Sequence, residues 1–390
     1  MNTISGNKVK SNNLLFLDGL RGIAAFYVLV GHSRWLLWEG YSGYQLHKQQ
    51  YSGFEKFLVY FLSLFKYGHE MVLFFFVLSG FVIHLRYSTQ ISNHSFIQFD
   101  YSNYIFRRIS RIYPPLIVAM VLGYLFDTFG RYLGYTIYFQ KTTNVVINNN
   151  VSIDFSLKNL LGNLFFMQKT YFPVWGSNGP LWSLKFEWWF YMLYPLLFII
   201  NKKGVMICLG IVTLVSFTLN NGLFSIPFNL LNEVLAALLS WWLGTLLADI
   251  YTKRLKVSFL YLSPLTLFIF IAPLSDKIEF LKFNTDNISA LGFFGLLSLL
   301  FYLQSKGVRL NKISNLRWLG EFSYTLYIIH VPILVFISGF LLSKSNNNLP
   351  KTQGYIFLGI FIPMIIAYYL HFYTEKYKFI RTAKSQNSSI

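Results

Sequence analysis

The sequence predicts an all-α protein, a polytopic transmembrane helical bundle of about ten spans with both termini in the cytoplasm. Three observations predict it. Of 390 residues, 54% are hydrophobic and only 12% charged, which overturns the two or three soluble domains that the length alone would suggest. Apolar runs such as "VLFFFVLSGFVIHL", "WWFYMLYPLLFII", "LLSWWLGTLLADI" and "YIIHVPILVFISGFLL" approach or cross, with their flanks, a hydrocarbon core of ~30 Å as helices. The Lys and Arg residues sit mostly in short clusters between these runs, which is how cytoplasmic loops are marked.

The spans fall near 14–37, 71–86, 112–129, 180–200, 204–220, 229–251, 258–273, 287–304, 319–342 and 354–374. The first comes after a polar start and has no clear small-residue cleavage site, so it is retained as a span and not removed as a signal peptide. The second and third are the weakest of these, being short. Two pieces, "FLVYFLSLF" and "LLGNLFFM", are too short to cross and either lie in the interface or re-enter. Residues 130–179 form the largest external loop, rich in Asn, Tyr and Thr, with no sign of a soluble domain of its own. With the amino terminus inside, every inside loop is basic, while the outside loop near 221–228 carries no charge. The whole reads as one integral-membrane domain over residues 1–380 with a polar cytoplasmic tail at 381–390.

A net charge of +18 raises nucleic acid as a partner, but the placement of the basic residues between apolar spans argues for a lipid bilayer instead. The single cysteine, Cys208, cannot form an intrachain disulfide. No internal repeat, Gly-rich phosphate loop, zinc-type His/Cys spacing or nucleophile elbow is present, so no metal is expected.

The ionisable residues inside the spans carry the functional signal, because a charge in hydrocarbon costs several kcal/mol. In "LDGLRGIAAFYVLVGH", Arg21 and His32 are eleven residues apart, so at ~100° per residue they share one helix face about 16 Å apart. Either they form a polar stripe lining a cavity, or each snorkels to its own membrane surface. In "GPLWSLKFEWWFYMLYP", Ser183 and Glu187 share a face at the expected depth of His32, a grouping suited to general-base chemistry; alternatively Glu187 pairs with Lys185. Trp182 serves either as an interface aromatic or as a platform for a sugar ring. In "YIFRRISRIYPP", Arg107, Arg108 and Arg111 mark either plain cytoplasmic topology or a planar grip on phosphate. His330, in "SYTLYIIHVPI", lines a cavity or bonds between helices, and Ser79-Gly80 allows close helix approach.

Taken together, these motifs resemble the acyltransferase family 3 integral-membrane enzymes. An Arg, ten residues and a His in the first span are its hallmark, found here as Arg21 and His32. "FFFVLSGFVI", "RRISRIYP", "WSLKFEWWFY" and "GEFSYTLYIIHVPI" are similar to its later signatures, in order along nearly the whole chain. Lys185 departs from the small or hydrophobic residue common inside the Trp-Ser-Leu element, and the stand-alone form, without an extracellular esterase-like domain, is expected. The resemblance implies transfer of an acyl group, most often acetyl, from acetyl-CoA or another acyl-CoA to a hydroxyl of a surface polysaccharide, lipopolysaccharide or lipid-linked sugar in the bacterial inner membrane. It implies His32 as general base supported by Glu187, with Arg21 and Ser183 in the catalytic group and an acyl-enzyme on Ser183 as a variant. Donor contacts are expected from Arg107, Arg108, Arg111 and Ser79, and acceptor contacts from Trp182, Tyr324 and His330. The alternative is a transporter or flippase that uses the same stripe as a translocation path.

Overall fold

The computed structural model describes residues 14–93, 99–275, 278–282 and 284–376; the expected tail at 381–390 and the polar start lie outside them. Helices occur at all ten expected places, and no strand is present among the described residues. The long ones are α1 (Leu15–Leu37), α3 (Gly68–Ser92), α4 (Tyr101–Tyr132), α5 (Trp182–Lys203), α7 (Asn229–Tyr251), α8 (Thr285–Ser305), α9 (Ser323–Lys344) and α10 (Gly354–His371). Between them lie the amphipathic α2 (Gly53–Ser63) and the shorter α6 (Val205–Asn220).

Seven of these helices are long and apolar enough to cross a membrane, α10 being counted through Glu375. The protein is therefore an integral membrane protein. The other three expected spans differ, each for a reason visible in its residues. Helix α5 has the length but carries Lys185, Glu187, Lys202 and Lys203. Helix α6 has 16 residues, about 24 Å of rise. The span expected at 258–273 is broken into Phe259–Leu262, a 3-10 turn at Ser263–Leu267 and Phe268–Ser275, with Pro264 at the start of that turn. The second and third spans run beyond their apolar windows, because helix continues through the polar residues at each end.

Helices α3 and α7 cross at backbone contact. A Cβ on Gly80 would sit 2.1 Å from the Trp241 carbonyl oxygen, and one on Gly244 only 1.9 Å from that of Val77. Only glycine fits at such a crossing, in agreement with the close approach expected at Ser79-Gly80. Near one end of this crossing lies a buried polar hub. The fully buried Asp249 carboxylate accepts from His84 Nε2 (3.0 Å), Ser88 Oγ (2.6 Å), Asn201 Nδ2 (3.1 Å) and Arg254 (3.1 Å). A buried charge needs such partners, and this one draws them from α3, α5 and the chain after α7.

The long segment between α4 and α5 is folded back into the bundle. Asp127 of α4 accepts from the Ser177 amide and hydroxyl, both at 2.7 Å. Asn178 donates to the Ile328 carbonyl of α9 at 2.8 Å, and the Trp175 indole to that of Met120 at 2.9 Å. These bonds fix the entry of α5, and with it Trp182, Ser183 and Glu187. Lys185, the sequence oddity, is buried and ion-pairs with Glu233 of α7 while donating to Thr170 at 2.9 Å.

Candidate active site

Helix α1 feeds two neighbouring cavities. The inner one, with about 740 Å³ of empty space, is lined by Arg21, Ser79, Arg108, Arg111, Ser183, Glu187, Tyr191, Tyr324 and Tyr327. The outer one, about 620 Å³, is lined by His32, Arg34, Trp35, Phe65, Lys66, His69, Trp182 and Tyr327 among others. Tyr327 and Val72 border both cavities, and the Tyr327 hydroxyl meets Ser183 Oγ at 2.9 Å, so these side chains form the partition. Arg21 thus lines the inner cavity and His32 the outer one, with the Ser183–Tyr327 pair between them.

In the inner cavity the charges answer one another. Arg21 donates to Asp18 at 3.2 Å. Arg108 lies over the Tyr104 and Tyr191 rings, 5.4 and 5.3 Å from their centroids, and Arg111 over Tyr324 at 5.8 Å. Glu187 accepts from the Tyr191 hydroxyl. Upstream, the Trp241 indole donates to Ser79 Oγ at 3.2 Å, and Ser79 meets Tyr191 at 3.2 Å. Since an indole only donates and Tyr191 gives its proton to Glu187, the order runs Trp241 to Ser79 to Tyr191 to Glu187. Two buried polar atoms here have no protein partner, Arg108 Nε and the Tyr324 hydroxyl. Orphaned buried donors beside a cavity are open to a polar ligand or to water.

In the outer cavity two imidazoles meet. His32 Nδ1 lies 2.7 Å from His330 Nε2, and His330 Nδ1 lies 3.1 Å from the Leu326 carbonyl oxygen. That carbonyl can only accept, so His330 carries its proton on Nδ1 and offers a lone pair at Nε2. His32 must then donate through Nδ1, which leaves its Nε2 as an unprotonated acceptor. The hydrogen-bond order alone assigns the tautomer. Above the pair, Trp182 stacks on the His69 ring at 5.3 Å and 13°, and His69 bonds Asp286 at 2.9 Å.

The structure separates some residues that the sequence grouped. Glu187 faces the inner cavity and bonds Tyr191, whereas His330 is the side chain that reaches His32. A helix face fixes direction but not which neighbouring helix comes closest, and α9 intervenes at that depth. Ser183 is engaged with Tyr327 and the Pro180 carbonyl. Arg108 and Arg111 line the cavity at i, i+3 spacing, while Arg107 is exposed and does not line it. Tyr324 lies in the inner cavity with the arginines and not beside Trp182. Ser79 lines the inner cavity as a link in the Trp241–Tyr191 network. Tyr327 was missed, although Tyr324, Tyr327 and His330 recur at three-residue steps and share a face.

Known proteins share this sequence pattern. A family described as an acyltransferase domain matches residues 14–371. An uncharacterized protein of Haemophilus influenzae is 28% identical over 166 residues, covering 41% of this chain and 62% of the relative. The matched part thus falls short of two thirds of that relative's length. No solved structure matches.

Proposed function

Because the chain belongs to this acyltransferase domain family and is an integral membrane acyltransferase, we propose that it moves an acyl group, most often acetyl, from acyl-coenzyme A to a saccharide hydroxyl. The two cavities divide the work. Arg108, Arg111 and Arg21 grip the phosphates of the donor in the inner cavity, with Tyr324 and Arg108 Nε supplying the unused hydrogen-bond donors. The donor's arm passes the Ser183–Tyr327 partition and presents its thioester to His32. The basic end of the bundle is the cytoplasmic one in this reading, and the membrane is the bacterial inner membrane.

His32 Nε2 takes the proton of the acceptor hydroxyl as its oxygen attacks the thioester carbonyl. The tetrahedral intermediate collapses, the C–S bond breaks, and the coenzyme A thiolate leaves and recovers the proton from His32. The products are an ester and free thiol. His330 holds the imidazole in the reactive tautomer and shares the charge that forms on it, the part that Glu187 was expected to take. Glu187 instead neutralises part of the arginine cluster and fixes Tyr191. Direct transfer is favoured over an acyl-enzyme on Ser183, since that hydroxyl is engaged with Tyr327 and the Pro180 carbonyl.

The observation that carries the reading is the His32–His330 pair, which leaves a lone pair facing a cavity one partition away from three arginines. The test uses purified protein with acetyl-coenzyme A and a mixed glycan acceptor pool. Thiol release coupled to a gain of acyl mass on glycan is expected. Acceptor movement across the membrane without thiol release would establish the transporter reading instead.

A further inference from the structure

We propose that Val72 and Tyr327 select the acyl group, by fixing the width of a passage between the two cavities that admits a short chain and rejects longer ones. This proposal rests on the acyltransferase reading above and adds the residues that decide which acyl group is moved.

On four helices the lining changes cavity at one level. Gly68 and His69 of α3 line the outer cavity, whereas Phe75 and Ser79 of the same helix line the inner one. On α1 the change falls between Arg21 and Val28, and on α5 between Trp182 and Ser183. On α9, Tyr324 lines the inner cavity, while His330 pairs with His32 of the outer one. Val72 and Tyr327 sit at that level and line both. In the proposed reaction the donor's phosphates lie on one side of this level and the base on the other. The acyl group is the tip of the donor, so it has to pass between these two side chains.

Both sides of the passage are held. The Ser183 hydroxyl gives its proton to the Pro180 carbonyl at 3.1 Å, so the Tyr327 hydroxyl donates to Ser183 Oγ at 2.9 Å. The Tyr327 ring meets Phe75 edge-on at 5.8 Å and 65°, and lies 6.1 Å from the His330 ring. Opposite it, Val72 is buried, and a valine in a helix has one strongly preferred rotamer. Its helix is anchored as well, since Gly80 and Gly244 bring α3 and α7 to backbone contact. Walls that cannot turn aside sort chains by size. One methylene too many or too few in an apolar site changes the rate by about tenfold or more.

The test is a donor series on the purified full chain in phosphatidylcholine nanodiscs, with the mixed glycan acceptor pool. Thiol release is read from acetyl-, propionyl-, butyryl- and hexanoyl-coenzyme A, and coenzyme A binding shows that each variant is folded. Wild-type kcat/KM is expected to fall about tenfold or more from acetyl to butyryl. Val72→Ala removes two methyl groups and should raise the butyryl-to-acetyl ratio of kcat/KM about tenfold or more. Val72→Ile adds one carbon and should lower the propionyl-to-acetyl ratio by a similar factor. Tyr327→Phe keeps the ring but releases it from Ser183, and should raise the butyryl ratio by a smaller factor. Opposite shifts from one position mark a size gauge, whereas a packing role would lower every donor alike. Ratios unmoved in all three variants with coenzyme A still bound, or a wild type that transfers hexanoyl as fast as acetyl, would overturn this proposal alone. A wild type that releases no thiol from any of the four donors would overturn the acyltransferase reading beneath it.

Discussion

The inner and outer cavities are walled by the same helix α1 and solve opposite electrostatic problems. The inner one ties its ionisable groups to partners: Arg21 to Asp18, Arg108 and Arg111 to aromatic faces, Glu187 to Tyr191. The outer one holds an imidazole pair that ends on a backbone carbonyl and not on a carboxylate. In the proposed function the inner cavity grips phosphate and the outer one holds a base, and those two tasks ask for opposite charge states. The partition at Tyr327 and Ser183 keeps these two demands apart within about three helical turns.

That contrast breaks most sharply at His32. His32→Ala should lower kcat on the order of a thousandfold, the span of a lost general base, while coenzyme A binding holds; near-normal acyl transfer would remove the division of labour altogether. His330→Leu should lower kcat about a hundredfold with the donor KM unmoved, and His330→Gln should recover part of the loss, since its amide oxygen can still accept from His32. Equal loss in both variants would make His330 a packing residue. On the inner side, Arg108→Gln with Arg111→Gln should raise the donor KM about tenfold or more with a smaller change in kcat. Arg107→Gln, on the exposed face, should shift that KM by less than about twofold. If Arg107 mattered as much as its neighbours, the cavity would have to extend around the outer face of α4. Gly31→Ala pushes on the Phe65 carbonyl and should slow transfer several-fold without touching the donor KM, as steady-state kinetics at varied donor would show. Smallest of all, Ser52→Ala removes the α2 cap at about 1 kcal/mol of local stability, visible as faster amide exchange over Gly53–Ser63.

Much of this was legible in the residues. Hydropathy placed the helices, and the turn count put Arg21 and His32 on one helix face because a single helix obeys one periodicity. The partner of His32 was not legible, because Glu187 and His330 lie on different helices and only packing decides which arrives. Arg107 was grouped with Arg111 for the same reason, since spacing gives relative angle but not absolute rotation toward a cavity. The break at Pro264 could be read as a proline in an apolar run, whereas its consequence, a 3-10 turn between two short helices, needed the neighbouring α8. Helix α2 was visible as "FLVYFLSLF", yet its closeness to His32 depends on the Tyr27 and Gly31 contacts that no local pattern announces.

The Asp249 hub has a consequence for how the chain is made. His84 and Ser88 emerge before Asn201, and all three precede Asp249, with Arg254 a few residues later. Domains assemble as they are synthesised, N-terminal parts first. By the time Asp249 is made, three of its donors have been synthesised, and the arginine that closes the set follows almost at once. A permuted chain that began with α7 would present this carboxylate before any of His84, Ser88 and Asn201 had been made.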